Sequence, residues 1–166
     1  IKFPLTFNNL PKRKIELTGE AYFEVAKNKD KPFTVTTSKQ EITVLGTHFN
    51  VNSYTDESVT KTTLLEGSVK VVSTITTSQK NANSDIVSTV LKPGQQSLLS
   101  FNKLTIQPAD IDETIAWKEG YFRFNDEKLE SIMRKVSRWY DVEIEYENEK
   151  LKNEPFAGVT TRFANV

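Results

Sequence analysis

Cysteine is absent from this chain of 166 residues, and histidine occurs once. The first absence excludes disulfides and thiolate chemistry, and leaves the redox compartment open. The second starves most catalytic schemes: a Ser-His-Asp or Cys-His site would have to use that one imidazole as its base. A zinc centre needs three or four nitrogen or sulfur ligands, and a cupin-type oxygenase centre needs at least two histidines with a carboxylate. Charge of one sign is also missing, because 22 basic side chains balance 22 acidic ones. A neutral chain offers no electrostatic case for nucleic acid, which calls for a basic surplus or stripe. No apolar run reaches the roughly eighteen residues of a membrane-spanning helix. No initiator Met and no signal peptide stand at the start, and Ile1 leads straight into a β-like segment. The chain therefore reads as part of a longer protein.

Glycine is scarce, with six in all, and its placement is informative. Four strand-like segments carry it: Gly19–Val25 (GEAYFEV), Val44–Val51 (VLGTHFNV), Leu64–Val71 (LLEGSVKV) and Leu91–Gln96 (LKPGQQ). Around them Ala21, Phe23 and Val25 alternate with Tyr22 and Glu24, and Phe33 and Val35 alternate with threonines. Period-two patterning in Val, Ile, Thr and aromatics is the signature of half-buried strands. Pro93-Gly94 suits a type II turn, since proline presets φ and glycine accepts φ above zero. Glu66-Gly67 and Asn102-Lys103 read as hairpin turns. The polar run Ser78–Asp85 reads as a mobile hairpin tip.

The composition changes near Gln107. Residues 108–120 read as a junction, with Pro108 to Glu113 as linker or short turn. A strand follows at Tyr121–Phe124, then a helix with Asn125 as N-cap and Asp126 and Glu127 in its first turn. Leu129, Ile132, Met133, Val136 and Tyr140 form one helical face. Glu130 leads Arg134 by one turn, a pair worth roughly 0.3–0.5 kcal/mol. Asp141 ends the helix. Val142, Ile144 and Tyr146 alternate with charges as a second strand, and Phe156 to Arg162 starts a third. The expected architecture is mainly β: an antiparallel β-sandwich or β-roll punctuated by glycine turns over residues 1–107, then a small α+β (strand–helix–strand) unit over 121–166.

Candidate chemistry is sparse. His48, just after Gly46, reads as an edge or half-buried strand residue rather than a base. Glu20, Glu24 and Glu66 lie near strand ends, where a glycosidase pair would have to converge; their expected place is the wet face. Asp110, Asp112 and Glu113 lack the register of a calcium loop. The threonines Thr60, Thr62 and Thr63, with Thr74, Thr76 and Thr77, read as solvent-facing strand positions, and would be the binding face of an adhesive module. Trp139 and Tyr140 are adjacent on the helix, so one closes the core and the other faces outwards. No metal or cofactor is expected.

The order of segments resembles the FecR-like anti-sigma factor family over nearly the whole chain. The resemblance rests on Gly19-Glu20-Ala21-Tyr22-Phe23-Glu24-Val25, Pro32-Phe33 with Val35, Val44 to Val51, Leu65-Glu66-Gly67-Ser68-Val69 and Leu91-Lys92-Pro93-Gly94-Gln95. Downstream it rests on Trp117, Gly120, Phe122 and Phe124, then Leu129, Ile132, Arg138, Trp139, Tyr140 and Val142. It implies the periplasmic part of a single-pass inner-membrane protein. A FecR β domain would be followed by a small domain like the short N-terminal domain of secretins and TonB-dependent transporters. Implied partners are the signalling domain of an outer-membrane TonB-dependent transporter and, through a cytoplasmic segment absent here, an extracytoplasmic-function sigma factor. The family usually has two more strands before Ile1–Phe7 and further strands after Val166. Uncovered sheet edges would then be open to pairing with a second copy.

Two functional readings follow. The first is a non-enzymatic periplasmic sensor working by protein–protein contact through Phe122, Phe124, Val142, Ile144 and Tyr146, with Trp139 and Tyr140 as aromatic anchors. The second is a carbohydrate-binding or adhesive β module built on the threonine-rich faces.

Overall fold

The computed structural model describes residues 1–8, 10–75, 87–101 and 103–163. They form two compact units, Ile1–Ile111 and Asp112–Val166.

The first unit is a sandwich of two five-stranded sheets. Its strands are β1 (Arg13–Glu16), β2 (Gly19–Val25), β3 (Phe33–Thr36), β4 (Gln40–Val44), β5 (Thr47–Ser53), β6 (Val59–Glu66), β7 (Val69–Ser73), β8 (Ser88–Leu91), β9 (Gln95–Ser100) and β10 (Lys103–Pro108). One sheet runs β1-β3-β4-β7-β8, the other β10-β9-β6-β5-β2. All its pairings are antiparallel except β1 with β3. That parallel pair arises because the intervening β2 belongs to the opposite sheet.

The chain therefore alternates between sheets, and every change but β2 to β3 happens at a glycine: Gly19, Gly46, Gly67 or Gly94. Glu66-Gly67 is thus an inter-sheet corner, not the hairpin its sequence suggests. Gly67 has φ +92°, and a Cβ there would lie 2.8 Å from the Gly46 carbonyl oxygen. Only glycine lets these two corners approach so closely. The Pro93-Gly94 turn closes through Gln95 N–H donating to Lys92 O at 3.0 Å, with Gly94 at φ +78°. This is the geometry expected of a type II turn. β9 and β10 pair up to Ser100 with Lys103, as a hairpin requires. Asn102 of that turn, the Ser78–Asp85 insert, and Thr76 and Thr77 lie outside the described residues.

Inward positions of both sheets supply the core. Ile42, Val44, Phe49, Val51, Leu64, Val69, Val71, Leu91 and Leu99 are fully or almost fully buried, each contributing about 1.5–3 kcal/mol by leaving water. Phe23 stacks on Phe49 with centroids 5.0 Å apart. Thr60, Thr62 and Thr63 are buried as well, which corrects the expectation that they face solvent. Thr60 and Thr62 take inward places beside Leu64 on β6. Thr63 Oγ1 is covered by Gln96, whose Nε2 donates to it at 2.6 Å.

A one-turn helix α1 (Ile111–Ile115) begins on the last residue of the first unit, and the second unit continues with β11 (Tyr121–Lys128), α2 (Leu129–Tyr140), a 3-10 turn (Glu149–Asn153) and β12 (Pro155–Thr161). The stretch read as linker thus contains a helical turn, with Asp112 and Glu113 at its dipole-favoured start. β11 and β12 form an antiparallel two-stranded sheet. Ile132 is buried under α2, flanked by half-buried Leu129, Met133, Val136 and Tyr140. The Glu130–Arg134 pair closes at 3.3 Å. Asp141 ends the helix in the left-handed region at φ 55°.

Two local expectations fail here. Asn125 is not the helix N-cap: β11 runs on to Lys128, and the register with β12 shifts between Phe124 and Glu127. Asn125 and Asp126 make the bulge, Asp126 at φ 51°. The first helical N–H, of Leu129, is satisfied by the main-chain oxygen of Glu154 at 2.9 Å. The second failure is Val142–Tyr146, which forms no strand and joins no sheet among the described residues. Alternation in the sequence sets side-chain faces, but a strand also needs a neighbour to pair with.

Candidate partner-contact surface

Arg162 organises the second unit. Its main-chain oxygen accepts from Trp139 Nε1 at 2.9 Å and from Tyr140 Oη at 3.0 Å. Its guanidinium lies 4.0 Å from the Trp139 ring centroid and 4.6 Å from that of Phe122, a cation–π arrangement on two rings. Arg162 Nη1 donates to Trp117 O at 3.0 Å. Phe163 meets Trp139 edge-on at 6.3 Å.

This arrangement places each expected contact residue. Phe122, 5% exposed, belongs to the unit's own core. Phe124 stacks on it at 5.9 Å and carries Lys135 Nζ over its ring. Tyr140 is half-buried against Phe122. Trp139 is 42% exposed. Val142 is 41% exposed, while Ile144 and Tyr146 are half-buried. Lys152 Nζ sits 4.9 Å over the Tyr146 ring. The exposed side chains of this unit thus include Trp139 and Val142, and also residues that strand logic had not singled out. β12 is exposed along its whole length, with Phe156 and Val159 among its open apolar side chains, and Phe163 lies just beyond its end. The Phe156–Arg162 pattern marked a strand; that only β11 would pair with it was not visible.

The remaining candidates stay apart. His48 sits in β5, opposite both Glu24 on β2 and Glu66 on β6. Its Nδ1 is 3.3 Å from Glu66 Oε2, with both side chains substantially exposed. Such a pair is worth at most about 1 kcal/mol. Glu20 is half-buried and accepts from Asn50 Nδ2 at 2.9 Å, so it is less wet than expected; Glu24 is exposed. Tyr22 lies beside this row. Burial first, then the Glu24 and Glu66 charges with a hydrogen bond to Glu24, push its phenol above the ordinary value. No three His, Cys, Asp or Glu side chains converge on a metal-sized site among the described residues. A shallow depression of about 460 Å³ lies at the hairpin ends of the first unit, between Lys39, Glu57, Ile75 and Phe101. Lys39 Nζ is engaged there by the main-chain oxygens of Glu57 and Ser58. Burial of Thr60, Thr62 and Thr63 removes one of the two threonine groups on which an adhesive module would depend; Thr74 of the other group is exposed.

Comparison with known proteins follows this division. The profile described as "FecR protein" matches residues 5–70, and that described as "FecR, C-terminal" matches residues 121–166. No curated protein matches the chain. Two crystal structures of a protein from Parabacteroides distasonis ATCC 8503, provisionally assigned as an anti-sigma factor, share its fold. The 1.65 Å structure superposes with a TM-score of 0.80 at 24% identity, covering 98% of this chain and 72% of the other. The 2.50 Å structure gives 0.79 at 24% identity, covering 98% and 71%. With both units matched in chain order by profiles of one kind, the chain belongs to the FecR family.

Proposed function

We propose that this chain is the periplasmic sensor portion of a single-pass inner-membrane regulator of a sigma factor. In this reading it relays a signal from an outer-membrane TonB-dependent transporter by protein–protein contact, without catalysis. The observation that carries the reading is the pair of FecR matches, one on each compact unit. The second unit adds a physical reason for contact. A two-stranded sheet alone is marginal in water and relies on packing against a helix, here α2. The unit's buried apolar side chains, among the described residues, are Ala116, Phe122 and Ile132, each still 4–6% exposed. β12 has a neighbour on one edge only, and an extended segment added at an open edge would supply main-chain hydrogen bonds and cover exposed side chains.

On this proposal the transporter's signalling domain docks on the surface around Trp139, Val142 and β12, with Ile144 and Tyr146 at its margin. The sigma factor is held by a cytoplasmic segment outside these residues. No helix of the described residues is long and apolar enough to cross a membrane, so the proposal assigns the span to sequence outside them. The open edges also allow a homodimer, with β12 pairing to a second β12.

The test is capture of the N-terminal signalling domain of a co-encoded transporter by the complete periplasmic part. Binding at or below tens of micromolar is expected. Absence of binding by folded protein at that concentration would overturn the transporter reading.

A further inference from the structure

Two fully buried polar atoms of the sandwich, on facing sheets, have no hydrogen-bond partner within the protein: Gln40 Oε1 and Ser97 Oγ. They are neighbours of one residue. Gln40 reaches from β4 across to the opposite sheet, where its Nε2 donates to Thr62 Oγ1 at 2.7 Å. Thr62 is the register partner of Ser97 on β9, so their side chains share the inward face with Cβ atoms about 4.5–5.5 Å apart. All three residues are 0% exposed.

The chemistry of the cluster limits what can complete it. Gln40 Oε1 can only accept. Ser97 Oγ can donate and accept. Thr62 Oγ1 already accepts from Gln40 and still carries its own proton. An anion would be repelled by the amide oxygen. A cation would find no carboxylate, and an apolar group would leave both orphaned atoms stranded. A small neutral molecule that both donates and accepts satisfies all three, and buried waters characteristically make about three such bonds. We infer that the sandwich holds one internal water that donates to Gln40 Oε1 and bonds the hydroxyls of Ser97 and Thr62. The water ties β4 of one sheet to β6 and β9 of the other, where the apolar packing is interrupted. The Ser53–Thr60 hydroxyl contact at 3.5 Å, between β5 and β6, extends the same polar seam.

The first test is made on the unmodified chain: a high-resolution crystal structure, with water-to-protein cross-relaxation at the Gln40 side-chain amide. The expected result is a density peak within about 2.7–3.2 Å of both Gln40 Oε1 and Ser97 Oγ, with cross-relaxation from a long-lived water. A direct Gln40–Ser97 hydrogen bond, or an empty seam, overturns the inference. A second test compares urea midpoints of Ser97→Ala, Gln40→Leu and the double variant. With a bridging water, each single change lowers the midpoint, and the double variant loses less than the two losses added. Additive effects, or a Ser97→Ala midpoint equal to or above that of the parent, contradict it.

Discussion

Gly67 packs so tightly on Gly46 that a Cβ on the first would stand 2.8 Å from the carbonyl oxygen of the second. Thr47, beside Gly46, fixes the same junction by donating its hydroxyl to Ser68 O at 3.0 Å. Gly67→Ala is expected to cost about 2–4 kcal/mol, combining strain at positive φ with a backbone clash that no rotamer relieves. Gly94→Ala is the control. Its φ is also positive, but its Cβ would meet nothing within 4 Å, so the loss should be about 1 kcal/mol. Equal losses in urea unfolding would remove the close approach as the cause.

Both tryptophans of the chain, Trp117 and Trp139, lie in the second unit. Tryptophan emission therefore reports on that unit alone, whereas far-UV circular dichroism is dominated by the sandwich. The smaller unit, with its thin core, should lose its emission signal at lower urea than the dichroism signal. Coincident transitions would show that the two units unfold as one.

Arg162 meets Trp139 and Phe122 with its guanidinium face, a geometry that the compact ammonium of lysine does not reproduce. Arg162→Lys should lower the stability of the second unit by about 1–2 kcal/mol, read as an earlier tryptophan transition. The dichroism midpoint of the sandwich should stay where it was.

Phe122 and Val142 separate packing from contact. Phe122→Ala removes a buried ring and should cost about 3–5 kcal/mol, enough to unfold a marginal unit. Val142→Asp should leave the tryptophan transition in place. If the surface proposed for the transporter domain is right, it should weaken capture at least about tenfold, the loss of roughly 1.4 kcal/mol expected for an apolar contact residue. Unchanged capture by Val142→Asp would remove that residue from the surface.

Tyr22 gives a pH signature. Its folded phenol titrates above the ordinary value of 10.0, so above that pH the folded state binds more protons than the unfolded one. Stability is then fully present below about pH 10 and falls as pH rises through the folded value. Tyr22→Phe should flatten that part of the alkaline loss. Unfolding midpoints between pH 9 and pH 11, compared for parent and variant, measure the difference.

The period-two runs were enough to expect a β-sandwich, because inward positions such as Val35, Ile42 and Phe49 repeat at strand spacing. The route between strands was not legible. A glycine reports that the chain turns, but the turn at Gly67 looks the same whether the next strand returns beside the last or crosses to the facing sheet. Threonine is ambiguous in the same way. Its β-branch suits a strand on either face, and only the reach of Gln40 and Gln96 decides that Thr62 and Thr63 are covered. The helix face of α2 was plain from Leu129, Ile132 and Val136. Its start was not, because the capping group is a main-chain oxygen at Glu154, twenty-five residues away in sequence. The contact surface was the least visible part: Phe122 and Val142 are both apolar strand-like positions in the sequence, and only packing separates the buried one from the open one.

The crossing pattern of the first unit has a kinetic consequence. After β1 and β2, strands go to the two layers in consecutive pairs, β3–β4 and β7–β8 to one and β5–β6 and β9–β10 to the other, so no contiguous stretch of chain contains a whole layer by itself. Neither layer can be built ahead of the other, and partial chains have no closed intermediate to rest in. Loop closure must precede most of the rewarding contacts, which puts this unit among slow, all-or-none folders. A cut at any one corner should then abolish both layers together.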